Sequence, residues 1–232
     1  MEFVERGWSI KQLHRLIMNS RTYRQSSRVT EERQQLDPQN RLLSRMTLRR
    51  MDAETLRDSL LFVSGTLDDR PGGRPDSVSV NRDGLVSVNP TSAGHWRRSV
   101  YVEYRRTEIP SMLETFDYPE MGPNCVARTV SIVSPQSLMM MNNAHVRELA
   151  AAFANRVQAI LSSQESESID PAAEQVDTVY QLALNRLPSD IERRIGIEAL
   201  NQLQTEWQGD RHAALKTYCH TILNSAAFLY VD

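Results

Sequence analysis

Cysteine is almost missing from this 232-residue chain. The two present, Cys125 and Cys219, stand 94 positions apart and form no CxxC. That excludes a disulfide framework, a zinc ribbon and a c-type haem attachment, and the plain reading is two small buried thiols. Lysine is as scarce, with 25 of the 27 basic residues being arginine and only Lys11 and Lys216 breaking the rule. Arginine offers carboxylates and phosphates a planar fork that lysine lacks, although a GC-rich genome produces the same bias. No apolar run reaches the ~20 residues that cross a bilayer. The opening MEFVERGWSI has no basic segment followed by an apolar one, so no signal peptide is expected in this chain.

The motifs that would name a chemistry are also missing: there is no Gly-rich phosphate loop, HExxH, GxSxG or EF-hand pattern. The five histidines are scattered as His14, His95, His145, His212 and His220. His212 and the Cys219-His220 pair lie about two helical turns apart without further ligands, so neither a metal nor another cofactor is expected.

What is there belongs to a soluble globular chain, with 40% hydrophobic and 24% charged residues. A chain this long buries roughly 70% of its unfolded surface without a staple. Charge is uneven: residues 1–106 hold 19 basic and 13 acidic residues, whereas 107–232 hold 8 and 16. The halves can attract each other, or a bipolar partner. The arginines are interleaved with acids and apolar residues, so nucleic-acid binding is not expected.

Helical signals dominate. Ser9 and Gln12 have capping-box spacing, with Trp8 and Leu13 as staple positions. They open a helix over about 10–19, whose Ile10, Leu13, Leu16 and Ile17 form one buried stripe with His14 packing beside it. Tyr23 is expected to close against the core. Asp37-Pro38 predicts a short helix to about Met46, and Asp52 caps one over 53–64 that Gly65 stops.

Residues 66–95 are rich in Gly, Pro, Asp and Ser and read as an exposed excursion. It carries a hairpin, Val78 to Val80 against Leu85 to Val88, around the Asp83-Gly84 turn. Ser99 to Tyr104 alternates like a strand, Ser111 to Phe116 allows one helical turn, and Val126 to Val133 is readable as extended chain. Ser134-Pro135 opens a helix carrying the Met139 to Met141 run. A long helix follows over 143–161, with Val146, Leu149, Phe153, Val157 and Ile160 on one face.

The fold class is therefore mainly α with a minor β component. Residues 1–161 read as a helical, loop-rich part, 162–170 as an acidic linker, and 171–232 as a three-helix subdomain. That subdomain's expected core is Leu182, Ile191, Ile195, Leu203, Leu215, Ile222 and Phe228.

The stretch from Trp96 to Asn143 concentrates the candidate chemistry. One reading makes it a polar pocket, with Arg105 and Arg106 binding an anion, Asp117 as a loop carboxylate and Cys125 as a nucleophile. No base for the cysteine is in view. The other reading is architectural: Arg97, Arg98, Arg105, Arg106 and Arg128 pair with Asp117, Glu114 and their neighbours to hold a segment with few backbone ladders.

As a set, GWSIKQLHRLIMNSRTYRQSS, DPQNRLLSRM, RRMDAETLRDSLLFVSGTLD, RRSVYVEYRRTEIPSMLETFD, SPQSLMMMNN, NRLPSDIE and LNSAAFLYVD resemble the C-terminal domain of unknown function 1553 of planctomycete-type cytochrome-associated proteins. The resemblance covers nearly the whole chain. It implies a bacterial, exported, multidomain setting with a CxxCH module and a second family domain upstream. It supplies no catalytic residue. The chain departs from the pattern near Cys125, where Val126-Ala127-Arg128-Thr129 replaces paired arginines, and it opens almost at Gly7-Trp8-Ser9, as a fragment would.

The expectation is a non-catalytic module that docks onto the upstream family domain or a partner chain. The alternative is a hydrolytic or redox-linked enzyme domain acting on a polymer, with its pocket around Arg105, Asp117 and Cys125.

Overall fold

A computed structural model describes residues 2–119, 125, 127–163 and 170–231. In chain order the elements are α1 (Glu2–Glu5), α2 (Ile10–Met18), α3 (Glu31–Leu36), β1 (Arg49–Arg50), α4 (Ala53–Ser64), β2 (Leu67–Asp68), β3 (Val78–Val80), β4 (Val86–Val88), β5 (Trp96–Arg97), a 3-10 turn (Ser99–Tyr101), α5 (Ser111–Thr115), α6 (Ser134–Asn142), α7 (Ala144–Ser163), α8 (Pro171–Leu184), α9 (Asp190–Glu206), α10 (Arg211–Leu223), α11 (Ala226–Leu229) and β6 (Tyr230–Val231). Among the described residues helix accounts for 53% and strand for 7%, so the mainly α class with minor β holds. Two compact units result, Met1–Arg50 with Tyr230–Asp232, and Met51–Leu229.

In the first unit, β1 and β6 pair antiparallel, Arg49 opposite Val231 and Arg50 opposite Tyr230. Helix α2 starts where its cap predicts, the Ser9 hydroxyl accepting the Gln12 amide at 3.3 Å. Its stripe is not buried: Ile10 is 63%, Leu16 44% and Ile17 45% exposed, and Tyr23 is exposed as well. Trp8 packs edge-on against Phe3, with ring centroids 5.3 Å apart.

The helix predicted after Asp37 does not form either. Asn40 and Leu43 take the left-handed conformation, at φ 51° and 54°. The buried Asp37 carboxylate accepts the amides of Arg41 and Leu42 at 2.8 Å each, and the Asn40 side chain grips both backbone groups of Arg45. Side-chain acceptors thus replace the helical ladder. The helix here lies earlier, as α3, capped by Thr30. Among residues 2–50, Asp37 alone is buried.

The second unit holds the core. Asp52 caps α4 through the Thr55 amide at 2.8 Å, and Gly65 ends it at φ 78°. The centre is filled by Leu56, Leu60 and Leu61 of α4, Val146, Leu149, Phe153 and Val157 of α7, Val176 and Val179 of α8, and Leu215 and Leu223 of α10, none more than 1% exposed. Helix α7 packs against α4, α8 and α10.

Residues 171–229 therefore share one core with 51–161 rather than building their own. The linker expected between them falls mostly on residues 164–169, outside those described. Leu215, Ile222 and Phe228 are core residues, whereas Ile191 and Ile195 are 64% and 55% exposed. Helix α9 buries Gly196 and Leu200 instead. A Cβ at Gly196 would stand 2.5 Å from the Tyr218 hydroxyl and 2.9 Å from Val176, so its bare backbone admits the neighbouring helices.

Residues 66–95 include the expected hairpin, β3 pairing β4 in the register Val78 to Val88. The Asn81 carboxamide accepts the amides of Asp83 and Leu85 across the turn. The segment's base is tied down. Strands β2 and β5 pair in parallel, the Trp96 indole donates to the Val88 carbonyl at 3.0 Å, and the Val86 amide donates to Ser111 Oγ at 2.9 Å. Arg97, 8% exposed, donates to Asp76 and to the carbonyls of Gly72 and Arg74. The strand expected at Ser99–Tyr104 is a 3-10 turn followed by a single bridge from Val102 to Asp76. Its alternation misleads because Val100 faces solvent, 79% exposed.

Candidate functional site

Of the residues singled out in the central stretch, Arg97, Arg105, Asp117 and Arg128 each hold partners of their own, whereas Arg98 and Arg106 are exposed. Arg105 pairs with Glu103 at 3.1 Å and Glu108 at 2.9 Å, about half exposed. Asp117, left-handed at φ 64°, follows α5 and accepts the Ser131 amide at 2.8 Å and hydroxyl at 2.7 Å. Gln136 completes this clamp, donating to Asp117 at 3.4 Å, to Ser131 Oγ at 3.1 Å and to the Thr115 carbonyl at 3.1 Å. Asp117 thus fastens the approach to α6 onto the end of α5.

Arg105 and Asp117 hold different partners, Arg105 pairing with the neighbouring Glu103 and Glu108. Arg128 reaches Glu54 at 2.7 and 2.6 Å and Asp52 at 3.6 Å, bracing the start of α4. Cys125 is exposed rather than buried, its thiol 3.3 Å from the Ala127 carbonyl. Cys219 is buried, and burial pushes its thiol far above the ordinary range.

The histidines are equally dispersed. His14 is exposed. His212 Nε2 meets Asn155 Oδ1 at 2.7 Å, and His220 Nε2 meets the Met140 carbonyl at 2.9 Å. Among the described residues no cluster of three His, Cys, Asp or Glu side chains could hold a metal ion. No described helix is long and apolar enough to cross a membrane.

A different set of residues converges. A cleft of about 330 Å³ lies between the β4 edge, Trp96, the start of α5 and the first turn of α7. Val86, Val88, Trp96 and Met112 supply apolar wall, and Arg57, Asn143, His145 and Glu148 supply polar groups. Asn143 opens α7, its Oδ1 accepting the amides of His145 at 2.9 Å and Val146 at 3.2 Å. This cap points His145 at Trp96, the rings meeting edge-on with centroids 4.6 Å apart.

Burial lowers the His145 pKa and the Arg57 charge adds to that, while Glu148, 3.6 Å from Nδ1, opposes it. The imidazole is therefore neutral at neutral pH.

Arg57 is the unusual member, a guanidinium 4% exposed on the buried face of α4. Nη1 donates to the Arg97 carbonyl at 3.0 Å and to Ser99 Oγ at 3.2 Å, and lies 3.6 Å from Asp58. Nη2 is buried and has no hydrogen-bond partner among the described residues. Burial pulls the guanidinium pKa down to about 10.

Sequence reasoning did not select these residues, yet one signal was legible. Arg57 shares the core-facing stripe of α4 with Ala53, Leu56, Leu60, Leu61 and Ser64. A charge placed among such neighbours marks a site or a built network. The meeting of Trp96 with His145 spans 49 positions, and nothing local announces it.

A family model described as PSD1, protein of unknown function (DUF1553), matches residues 1–200. The chain belongs to this family. The PSD1 match spans α1 to α8, including every residue of the cleft. No curated protein and no solved structure matches the chain.

Proposed function

We propose that this PSD1 chain is a non-catalytic docking module that offers the apolar face of α2 to an acidic protein groove. The observation that carries the reading is that α2 is a well-capped amphipathic helix whose Ile10, Leu16 and Ile17 face water. Ile10, Leu13 and Ile17 stand at the i, i+3, i+7 spacing by which a helix fills a groove.

Residues 2–50 also expose Val4, Trp8, Met18, Val29, Leu36, Leu42, Leu43 and Leu48. So many exposed large apolar side chains in one short region favour an interaction surface. Charge narrows the partner: residues 1–50 hold 11 basic and 5 acidic residues, a net +6, against 16 and 24 over 51–232. Such a surface is steered towards an acidic one. The upstream family domain implied by the resemblance is the partner to test first, in the exported, cytochrome-associated setting that the resemblance also implies.

Photo-crosslinkers placed at Ile10, Ile17 and, as a control on the opposite face, Arg15 test this in the native host. The expected product is one protein or family domain with an acidic contact surface, formed from Ile10 and Ile17 and not from Arg15. Crosslinks solely to a second copy would replace the partner by self-association. Equal yield from all three positions, or no protein product, overturns the reading.

A further inference from the structure

We propose that the cleft between β4, Trp96 and α7 binds a small molecule carrying a planar apolar body and one carboxylate, which Arg57 neutralises. This goes beyond the docking role and rests on different residues.

The charge argument comes first. Arg57 is buried with Nη2 unpartnered, and a buried donor left in that state costs free energy that a ligand oxygen recovers. A carboxylate matches the guanidinium fork in shape, as a phosphate also does. The start of the 20-residue helix α7 faces the same cleft and adds the positive end of its dipole.

The body of the ligand follows from the walls. Trp96 and His145 meet edge-on, and Val86, Val88 and Met112 extend an apolar lining. With a volume of about 330 Å³, the cleft is at the small end of ligand sites. The neutral imidazole adds no charge, Asp58 lies 3.6 Å from Nη1 and already balances part of Arg57, and the exposed Glu148 carboxylate adds a second negative charge beside the cleft. With Arg57 the one Lys or Arg among the described lining residues and Glu148 opposing it, each further negative charge on a ligand is disfavoured, which favours a monocarboxylate over a phosphate dianion.

The probes are benzoate, benzyl alcohol and inorganic phosphate, each titrated into the full chain while the ring resonances of His145 and Trp96 are followed by NMR. Benzoate is expected to shift both with a Kd on the order of 1 mM, at least ten-fold below that of benzyl alcohol or phosphate. Arg57→Gln should weaken benzoate at least ten-fold. Met112→Trp should fill the cleft and abolish the shift. Glu148→Gln should tighten binding about three-fold by removing the opposing charge.

Should Arg57→Gln fail to fold, the exposed Glu148 variant and the comparison of the three probes on the parent chain decide alone. Equal shifts with benzyl alcohol would overturn the carboxylate, a preference for phosphate would overturn the monoanion, and no shift by 50 mM benzoate would overturn the site.

Discussion

Helices α2 and α4 begin with the same kind of signal and end in opposite surroundings. Ser9 accepts the Gln12 amide and Asp52 accepts the Thr55 amide, so both starts are fixed by a side-chain cap worth about 1 kcal/mol. Both carry leucines at helical spacing, joined in α2 by isoleucines. In α4, Leu56, Leu60 and Leu61 are fully buried; in α2 no residue is. A cap and a stripe say where a helix starts and which way its apolar face turns, but not whether another element waits opposite. Helix α4 has α7. Helix α2 needs something that residues 2–50 do not supply, and an isolated helix of nine residues is marginal in water.

Truncation should separate the two regions most sharply. Phe153→Ala removes the largest fully buried side chain of α7 and is expected to cost about 3 to 5 kcal/mol. Leu16→Ala, on a helix with no buried residue, should stay within about 0.5 kcal/mol. Urea denaturation of both variants checks the contrast, and a loss at Leu16 comparable to that at Phe153 would place α2 in a core after all.

The next effect lies within the larger unit. Gly196→Ala drives a Cβ against Tyr218 and Val176 and should cost about 1 to 3 kcal/mol by overpacking, offset by up to about 1 kcal/mol of helix propensity. The Tyr218 hydroxyl is buried without a hydrogen-bond partner among the described residues. Tyr218→Phe should therefore be close to neutral alone and should relieve Gly196→Ala when combined with it. Additive losses in the thermal midpoint of the double variant would show that the hydroxyl is not the obstacle.

These positions also show why part of the fold was readable and part was not. Caps act over three or four residues, so the starts of α2, α4, α8 and α9 follow from Ser9, Asp52, Asp170 and Ser189. The hairpin likewise follows from Asn81 to Gly84. Burial depends on distant chain. Ile191 and Ile195 look like core and are exposed, because the close approach of α9 runs through Gly196, which carries no hydrophobic signal.

Asp37-Pro38 has the residues of a helix start, yet the Asp37 carboxylate takes the amides of Arg41 and Leu42 and holds a loop instead. For the candidate site the balance is poorer. Arg105 and Asp117 were visible as charged groups in an irregular segment; the Arg105 partners, Glu103 and Glu108, lie within three positions of it, whereas Ser131, which gives Asp117 its role, is 14 positions on and a matter of tertiary geometry. The convergence of Arg57, Trp96 and His145 spans 88 positions and depends on it entirely.

The Asp117 clamp offers a smaller test, inside the irregular part of the larger unit. Asp117→Ala strands the Ser131 amide, which is only partly buried, while Gln136 keeps the Thr115 carbonyl and Ser131 Oγ as acceptors, so a loss near the low end, about 1 kcal/mol, is expected. Arg105→Ala, an exposed guanidinium shared between Glu103 and Glu108, should leave the midpoint nearly unchanged. The double variant should show the sum of the two, since the pair shares no partner. Coupling between them would restore the direct pairing that the geometry replaces.

The smallest expected effect depends on pH and sits at the start of α9. Arg186, bonded at 2.8 and 2.7 Å, is the main reason that the Glu192 carboxyl falls from its ordinary 4.5 to about 2, with Ser189 adding to it. A carboxylate whose folded pKa is depressed stabilises the fold fully above its unfolded value and loses that contribution as pH falls through the folded one. The stabilisation from Glu192 is therefore whole above pH ~4.5 and decays between that and pH ~2. Because the pair is largely exposed, screening keeps its worth under about 1 kcal/mol, and added salt should shrink it further. Glu192→Gln keeps hydrogen-bonding capacity but cannot ionise. Its stability curve should lie slightly below that of the parent at pH 7 and converge with it near pH 2. Equilibrium unfolding across that range measures the gap, and a gap that stays constant down to pH 2 would mean that shape rather than charge holds this cap.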